Sequence, residues 1–404
     1  MDAILVLNAG SSSMKFAVFE RTETAGKLRR ICKGHLSESD NCIELRVQDA
    51  GGNELAHSTW HPADGCFHHD EALGWILAWL GEHRGVEDIA AVGHRVVHGG
   101  LTHTAPVRVT DAVLRDLETL VPLAPLHLPQ NLKAIGLLHK QWPDVPQVAC
   151  FDTAFHRTQP AVAQALALPR EITDAGIRRF GFHGLSFEYI ASQVPRVLGT
   201  QAGGKVVVAH LGNGASLCAM QDGKSVATTM GFSVLDGLVM GTRCGSLDAG
   251  VMLYLQQHLR MGVDQLSEIL YKQSGLLGVS GISSDMHVLL DSKDPRAVEA
   301  VELFVYRTVL EIGAMAAATG GIDALVFTAG IGEHSAPIRK RICDGCEWLG
   351  VILDDRANAA NKDLIHAPAS RLKVAVVPAD EEYMIALHTQ ACVPAQQSGG
   401  MSGN

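Results

Sequence analysis

The stretch AILVLNAGSSSMKFAVF, residues 3–19, is an apolar run that stops at a small-residue turn and resumes as an extended pattern from Lys15 to Phe19. Branched apolar residues bounded by Gly and Ser predict a strand, a tight turn and a second strand. The layout recurs midway along the chain. Val206 to Ala209 is followed by the turn His210-Leu211-Gly212-Asn213-Gly214-Ala215-Ser216, then by Leu217 to Met220 and a turn at Asp222-Gly223. Two copies of one unit at so long a spacing predict a duplicated, two-lobed α/β protein and not a solenoid. With 404 residues, the chain is long enough for two such lobes and a cleft between them.

A third small-residue turn, Thr328-Ala329-Gly330-Ile331-Gly332-Glu333, follows the apolar strand Ala324 to Phe327. Ligands of open α/β sheets collect at such carboxyl ends of strands. Between the turns lie helical patterns. The clearest opens at Asp294-Pro295, a capping residue before a first-turn proline, and stops at Gly320-Gly321. Its Val298, Val301, Val305, Val309 and Ile312 recur at three- and four-residue steps and predict the core face. Residues 110–121 repeat the pattern with Val113, Leu114, Leu117 and Leu120, whereas the last dozen residues read as a disordered tail.

Apolar residues make up 47% and charged residues 19%, the balance of a globular protein. A formal charge of −10 without a basic patch argues against nucleic acid and anionic membrane surfaces as partners, and favours small substrates. Met1-Asp2-Ala3 is no basic leader, and no apolar run approaches the roughly 18 residues that span a bilayer, so a cytoplasmic location is expected. The nine cysteines are scattered, as suits a reducing compartment. Cys343-Asp344-Gly345-Cys346 lacks a second pair or histidines at zinc spacing and reads as ordinary thiols, while the cluster from Cys66 to Asp70 reads as a solvated loop.

Glycine and serine crowd the three turns because a phosphate chain must approach backbone N–H groups without Cβ obstruction. One such turn alone reads equally as a structural hairpin, but three in a duplicated frame, one with Lys15 close behind it, point to nucleotide phosphates. None is a Walker P-loop or a G-x-G-x-x-G fingerprint. Arg95, in His94-Arg95-Val96-Val97-His98-Gly99-Gly100, and Arg243, in Met240-Gly241-Thr242-Arg243-Cys244-Gly245, sit among small or apolar neighbours. A guanidinium there needs an anion, and for either arginine alone a buried ion pair with Asp or Glu is the commoner arrangement. Arg178-Arg179-Phe180-Gly181-Phe182-His183-Gly184 adds a further cationic cluster. Phe151-Asp152-Thr153 and Asp380-Glu381-Glu382 place carboxylates at strand ends, suited to Mg²⁺ held largely through water or, equally, to helix capping.

Together these segments resemble the acetate kinase family over nearly the whole chain. The likeness rests on Asn8 to Lys15, His94 to Gly100, Phe151 to His156, Phe180 to Gly184, His210 to Gly214, Met230 to Gly245, Ser280 to Asp285, Phe327 to Glu333 and Glu381-Glu382, in that order. The resemblance implies a duplicated actin-like fold of the sugar kinase, Hsp70 and actin superfamily, with a first lobe of residues 1–152 plus 383–404 and a nucleotide-binding lobe of residues 153–382. It implies a homodimer that moves the γ-phosphoryl of ATP to acetate, reversibly, giving acetyl phosphate and ADP. By position, Asn8 and Glu381 are implied magnesium ligands, with Mn²⁺ as a substitute, and Arg95, Asp152, His183 and Arg243 the reacting-group residues. Lys15, His210, Leu211, Gly212, Asn213, Gly214, Asp285, Met286, His287, Gly330, Ile331, Gly332, Glu333 and His334 are implied to line the nucleotide. Val97, Leu126, Phe182 and Val234 are implied to surround the acyl methyl.

The chain departs from the family pattern at Leu128, Leu185, Phe187, Ala227, Val234, His334 and Asp380. Val234 stands where the family has proline, which bears on acetate against propionate. A propionate kinase and a regulatory module that keeps the frame without catalysis are the competing readings. Retention of both Arg95 and Arg243 speaks against the second.

Overall fold

The computed structural model describes residues 2–10, 13–22, 27–39, 42–61, 68–83, 89–199 and 204–394. Ser11 and Ser12 of the first turn, Cys66 and Phe67, and the predicted tail from residue 395 lie outside them. The chain divides into two compact units, residues 1–154 with 380–404 and residues 155–379.

The first unit is built on β1 (Ala3–Ala9), β2 (Ser13–Arg21), β3 (Leu28–Ser39), β4 (Cys42–Asp49), β5 (Glu54–Trp60), β6 (Ile89–Val96), β7 (Val107–Arg108) and β8 (Gln147–Phe151). They form one sheet in the order β5-β4-β3-β2-β1-β6-β8-β7. The second unit carries β9 (Lys205–Leu211), β10 (Ala215–Gln221), β11 (Lys224–Thr228), β12 (Ala324–Thr328) and β13 (Lys373–Val376), in the order β11-β10-β9-β12-β13. Within the first sheet, β3-β2-β1-β6-β8 runs antiparallel, antiparallel, parallel, parallel. The five strands of the second sheet repeat that sequence of pairings. Such identity of order and direction is what duplication of an α/β unit predicts, and it is the actin-like arrangement.

Three strands are buried on both faces and largely apolar: every residue of β1, β8 and β12 is buried. Helices on a sheet's faces demand such continuous apolar runs. In the first unit the helix Glu381–Cys392 packs against β1, β6 and β8. Gly93 in β6 permits that close approach, since a Cβ there would lie 2.2 Å from Thr389 Oγ1 and 2.6 Å from Ile385 Cγ2. Because this helix begins at Glu381, the return to the first unit starts at Asp380, a few residues before the expected boundary at 383, and carries Glu381 with it.

The long helix, Pro295–Thr319, is capped as expected: the Asp294 side chain accepts from Arg296 N, and Gly320 ends it at φ 65°. Its buried face, however, is Ala297, Ala300, Val301, Phe304, Thr308, Ile312, Met315, Ala316 and Thr319, while Val298 is 44% exposed. The valine stripe overlaps the true core face at Val301 and Ile312, and that face also uses alanines for close packing and two threonines, whose hydroxyls donate to Phe304 O and Met315 O. In the helix Asp111–Thr119 only Leu117 of the predicted face is fully buried. Cys343 and Cys346 are buried and free, and burial pushes their thiols up, Cys346 to about 12, which opposes the thiolate that metal or redox chemistry requires.

Gly93→Val is expected to lower stability by about 1–3 kcal/mol through overpacking against Ile385 and Thr389, read as a fall in the denaturant midpoint with an unchanged slope.

Candidate functional site

In the first unit, three neighbouring strands deliver three polar side chains to one end of the sheet. Asn8 lies near the end of β1, Arg95 near the end of β6, and Asp152 directly after β8. Arg95 Nε donates to both Asp152 carboxylate oxygens at 3.0 and 3.1 Å, and its Nη2 donates to Asp152 Oδ2 at 2.6 Å. Its Nη1 donates to Asn8 Oδ1 at 3.1 Å. These contacts use three of the five N–H groups of a guanidinium and leave two for another acceptor. Asp152 is 1% exposed and Arg95 23%. Although burial opposes it, the Asp152 charge, with Glu381 and Glu382 behind it, holds the Arg95 guanidinium above its ordinary value.

Glu381 opens the returning helix, and Asn8 Nδ2 donates to its Oε2 at 3.4 Å. Burial, with Asp152 and Glu382 adding to it against the pull of Arg95 and Lys15, raises the Glu381 carboxyl above its usual range. Carboxylates thus outnumber the cations around Arg95, an imbalance that a divalent cation relieves, so the residues present fit one. Among the described residues no group of three His, Cys, Asp or Glu is placed to bind a metal directly, so such a cation would keep much of its water. Lys15 is exposed on β2, opposite Asn8. Asp380 caps the helix by accepting from Tyr383 N and pairs with Arg30, which gives this departure from the family pattern a structural role. Val97 is 4% exposed and Leu126 39%.

In the second unit the β9–β10 turn is the centre. Gly214 leaves room for two side chains: a Cβ there would come within 3.2 Å of Arg243 Nη2 and 3.3 Å of His183 Nε2, tighter than ordinary contact. Arg243 and His183, sixty residues apart in sequence, therefore converge over one glycine. His183 adopts a left-handed φ of 57° at the head of the helix Gly184–Leu198. For a residue with a Cβ this costs roughly 1 kcal/mol or more, and such strain concentrates at functional positions. Its Nδ1 lies 2.9 Å from Ser216 Oγ and its ring stacks on His210 at 4.2 Å, leaving Nε2 directed toward Gly214. His210 Nδ1 lies 2.8 Å from Ser186 Oγ. Arg243 Nη1 donates to the Val234 carbonyl, an acceptor that the family's proline would equally supply. Phe182 is 1% exposed.

Beside this turn the second unit holds a cavity of about 620 Å³. Of the implied nucleotide residues, Gly212, Asn213, Asp285, Met286, His287, Gly330, Ile331 and His334 line it. Asn213 is fixed by Gly241, whose absent Cβ would fall 1.9 Å from Asn213 Oδ1 and whose N–H donates to Asn213 O. Leu211 and Gly332 do not line the cavity and are buried in the unit's interior. Glu333 also turns away: its Oε1 accepts from Ala329 N at 2.8 Å and Ala379 N at 2.9 Å, which clamps the turn where Ala329 takes a left-handed φ of 64°.

Two kinds of contributor escape sequence reasoning. Ser284, Leu290, Asp291, Ser335 and Pro337 complete the cavity wall, and spacings such as 286/290 and 287/291 on one helical turn are the signal that could have found some of them. Arg339 is the other. It is 0% exposed and has no carboxylate: its guanidinium donates to Gly332 O, Glu333 O, Asn358 O and Oδ1, and Asn361 Oδ1. It ties the turn Ala329–His334 to a loop more than twenty residues downstream.

The chain was compared with known proteins. The model of the acetokinase family matches residues 3–387. The acetate kinase of Rhodopseudomonas palustris is 52% identical over 393 residues, covering 96% of this chain and 97% of that protein. That of Rickettsia felis is 44% identical, covering 95% and 98%. Among solved structures, a propionate kinase from Francisella tularensis superposes with a TM-score of 0.88 at 36% identity, covering 97% of this chain and all of that one. The Porphyromonas gingivalis acetate kinase gives 0.84 at 36% with the same coverage. The chain belongs to the acetokinase family.

Arg339→Met strands several buried carbonyl oxygens, and is expected to cost about 3 kcal/mol or more in stability and to weaken nucleotide binding about tenfold. Chemical denaturation and nucleotide titration of the variant check both, and an unchanged nucleotide affinity would detach Arg339 from the turn's function.

Proposed function

We propose that this member of the acetokinase family transfers the γ-phosphoryl group of ATP to acetate, and makes ATP from acetyl phosphate and ADP in reverse. The observation that carries the reading is the convergence of Arg243 Nη2 and His183 Nε2 over a side-chain-free Gly214, beside a cavity lined by Asn213 and Gly330. Cationic donors around a small-residue turn suit a phosphoryl group in flight, whose charge spreads over its equatorial oxygens.

A carboxylate is already ionised at neutral pH, so it attacks in line without a strong general base, and the difficulty is to bring two anions together. In this proposal the two N–H groups of Arg95 left over by Asp152 and Asn8 hold the acetate carboxylate. Asp152 orients Arg95 through its side-on contacts and is no proton acceptor. Arg243 and His183 stabilise charge on the transferring group, with His183 Nε2, the ring nitrogen facing Gly214, as donor. Asn8 and Glu381 would hold Mg²⁺, or Mn²⁺ in its place, which would supply charge neutralisation at the leaving phosphates. Val97, Leu126, Phe182 and Val234 surround the methyl. Propionate is the second reading, favoured by the likeness to the Francisella propionate kinase. The substantially buried Val97 argues for the shorter acid.

Homodimerisation belongs to the same proposal. The helix Ala249–Gln257 buries none of its residues, and Val251, Leu253 and Tyr254 are 39%, 54% and 55% exposed, an apolar face that a second copy would cover. No described helix is long and apolar enough to cross a membrane. A cytoplasmic location fits the cysteines scattered along the chain.

Hydroxylamine trapping with MgATP is expected to yield acetyl hydroxamate, and chelation to abolish it. Arg243→Ala should cut acetate-dependent ADP release by about 10²–10³-fold. Equal, acetate-independent ATPase in both proteins would overturn the kinase reading. Val97→Ala should shift kcat/KM toward propionate by about tenfold, within the 1–3 kcal/mol that one methylene is worth. A wild type that already prefers propionate would replace acetate as the substrate.

A further inference from the structure

The second unit has another concavity, of about 730 Å³, which shares no lining residue with the cavity beside Gly212. Arg157, Arg170 and Arg178 line it against a single carboxylate, Asp174. No acidic side chain lies within ion-pair distance of these arginines among the described residues, although Arg179, next in sequence to Arg178, is paired with Asp236. Burial, followed by the neighbouring Arg178 charge, pulls the Arg157 guanidinium below its ordinary value. Like charges gathered in a recess without counter-charge are costly unless an anion occupies it.

The recess also presents an acceptor. Gln159 is 4% exposed and its Oε1 is buried without a partner, as are Arg157 Nε and Arg178 Nε. The orientation of the amide follows from its neighbours. His156, which burial pushes down to about 4, is neutral at pH 7, and its Nε2 donates to the Phe182 carbonyl at 2.8 Å. Its Nδ1 must therefore accept from Ser225 Oγ at 2.9 Å, and the Ser225 oxygen in turn accepts from Gln159 Nε2 at 3.1 Å. That chain of donors leaves the Gln159 carbonyl oxygen as the end turned away from Ser225.

We infer that this recess is a second anion site, for inorganic phosphate. Guanidinium N–H groups receive the anionic oxygens, and the Gln159 oxygen receives the P–OH proton that hydrogen phosphate keeps at neutral pH. Sulfate, of the same size and charge but fully deprotonated, offers that acceptor nothing and leaves two oxygens opposed.

Isothermal titration calorimetry on the full chain, saturated with Mg²⁺ and a non-hydrolysable ATP analogue so that the nucleotide site is filled, tests the inference. Inorganic phosphate is expected to bind once per chain, with sulfate at least about tenfold weaker. Glycerol phosphate, a monoester largely without a P–OH proton near neutral pH, is expected to bind more weakly than inorganic phosphate, and tighter binding would overturn the role of Gln159. Arg157→Gln should weaken phosphate by about tenfold or more, as should Arg170→Gln, whose exposed side chain can be changed without risk to the fold. Gln159→Leu should erase the preference over sulfate. No phosphate binding to the saturated protein, equal affinity for phosphate and sulfate, or unchanged affinity in both arginine variants would overturn the site.

Discussion

Arg95 carries a full positive charge into the end of the first sheet, and Asp152, almost wholly buried, meets it through a bidentate contact. Removing one partner of such a pair costs about 3–5 kcal/mol, because an uncompensated charge stays behind. The pair therefore constrains its surroundings: β1, β6 and β8 must be adjacent for Asn8, Arg95 and Asp152 to meet, and the helix Glu381–Cys392 must return to the same sheet for Glu381 to join them. The constraint is also chemical. A guanidinium oriented from one side by a buried carboxylate keeps its remaining N–H groups aimed at one place.

The second unit solves a different problem with the same strand plan. Glycine appears where Arg243 and His183 close in, and again at Gly241 where the Asn213 side chain passes. The turns that result are strained at His183 and Ala329, and the strain is held by fixed contacts: Ser216 on one, Glu333 and Arg339 around the other. Arg339 is instructive because it is buried without any acid. Backbone and amide oxygens satisfy it, so its charge serves to gather carbonyl groups and not to neutralise a carboxylate.

The parts of the site that were legible in sequence are those written in neighbouring residues. The strand-turn-strand units, the capped start of the helix Pro295–Thr319 and the glycine at its end are local, and each was readable because turn chemistry and capping depend on a few consecutive side chains. Of the apolar stripe of that helix Val301 and Ile312 lie in the core while Val298 is exposed, since alanine, phenylalanine and threonine share the buried face. The likeness to a family placed Glu333 at the nucleotide, whereas the fold turns its carboxylate back onto Ala329 and Ala379.

What the sequence by itself determined is the duplicated strand plan, the small-residue turns at strand ends and the presence of cationic residues too costly to bury without an anion. Tertiary structure alone decided which groups answer them. Asp152 meets Arg95 across 57 residues, Asn361 meets Arg339 across 22, and Ser225 fixes Gln159 across 66. Periodicity and propensity act over one or two turns of chain, but a buried charge is satisfied by whatever polar atom the packed layers bring within about 3 Å, and that is settled only when the sheets have formed.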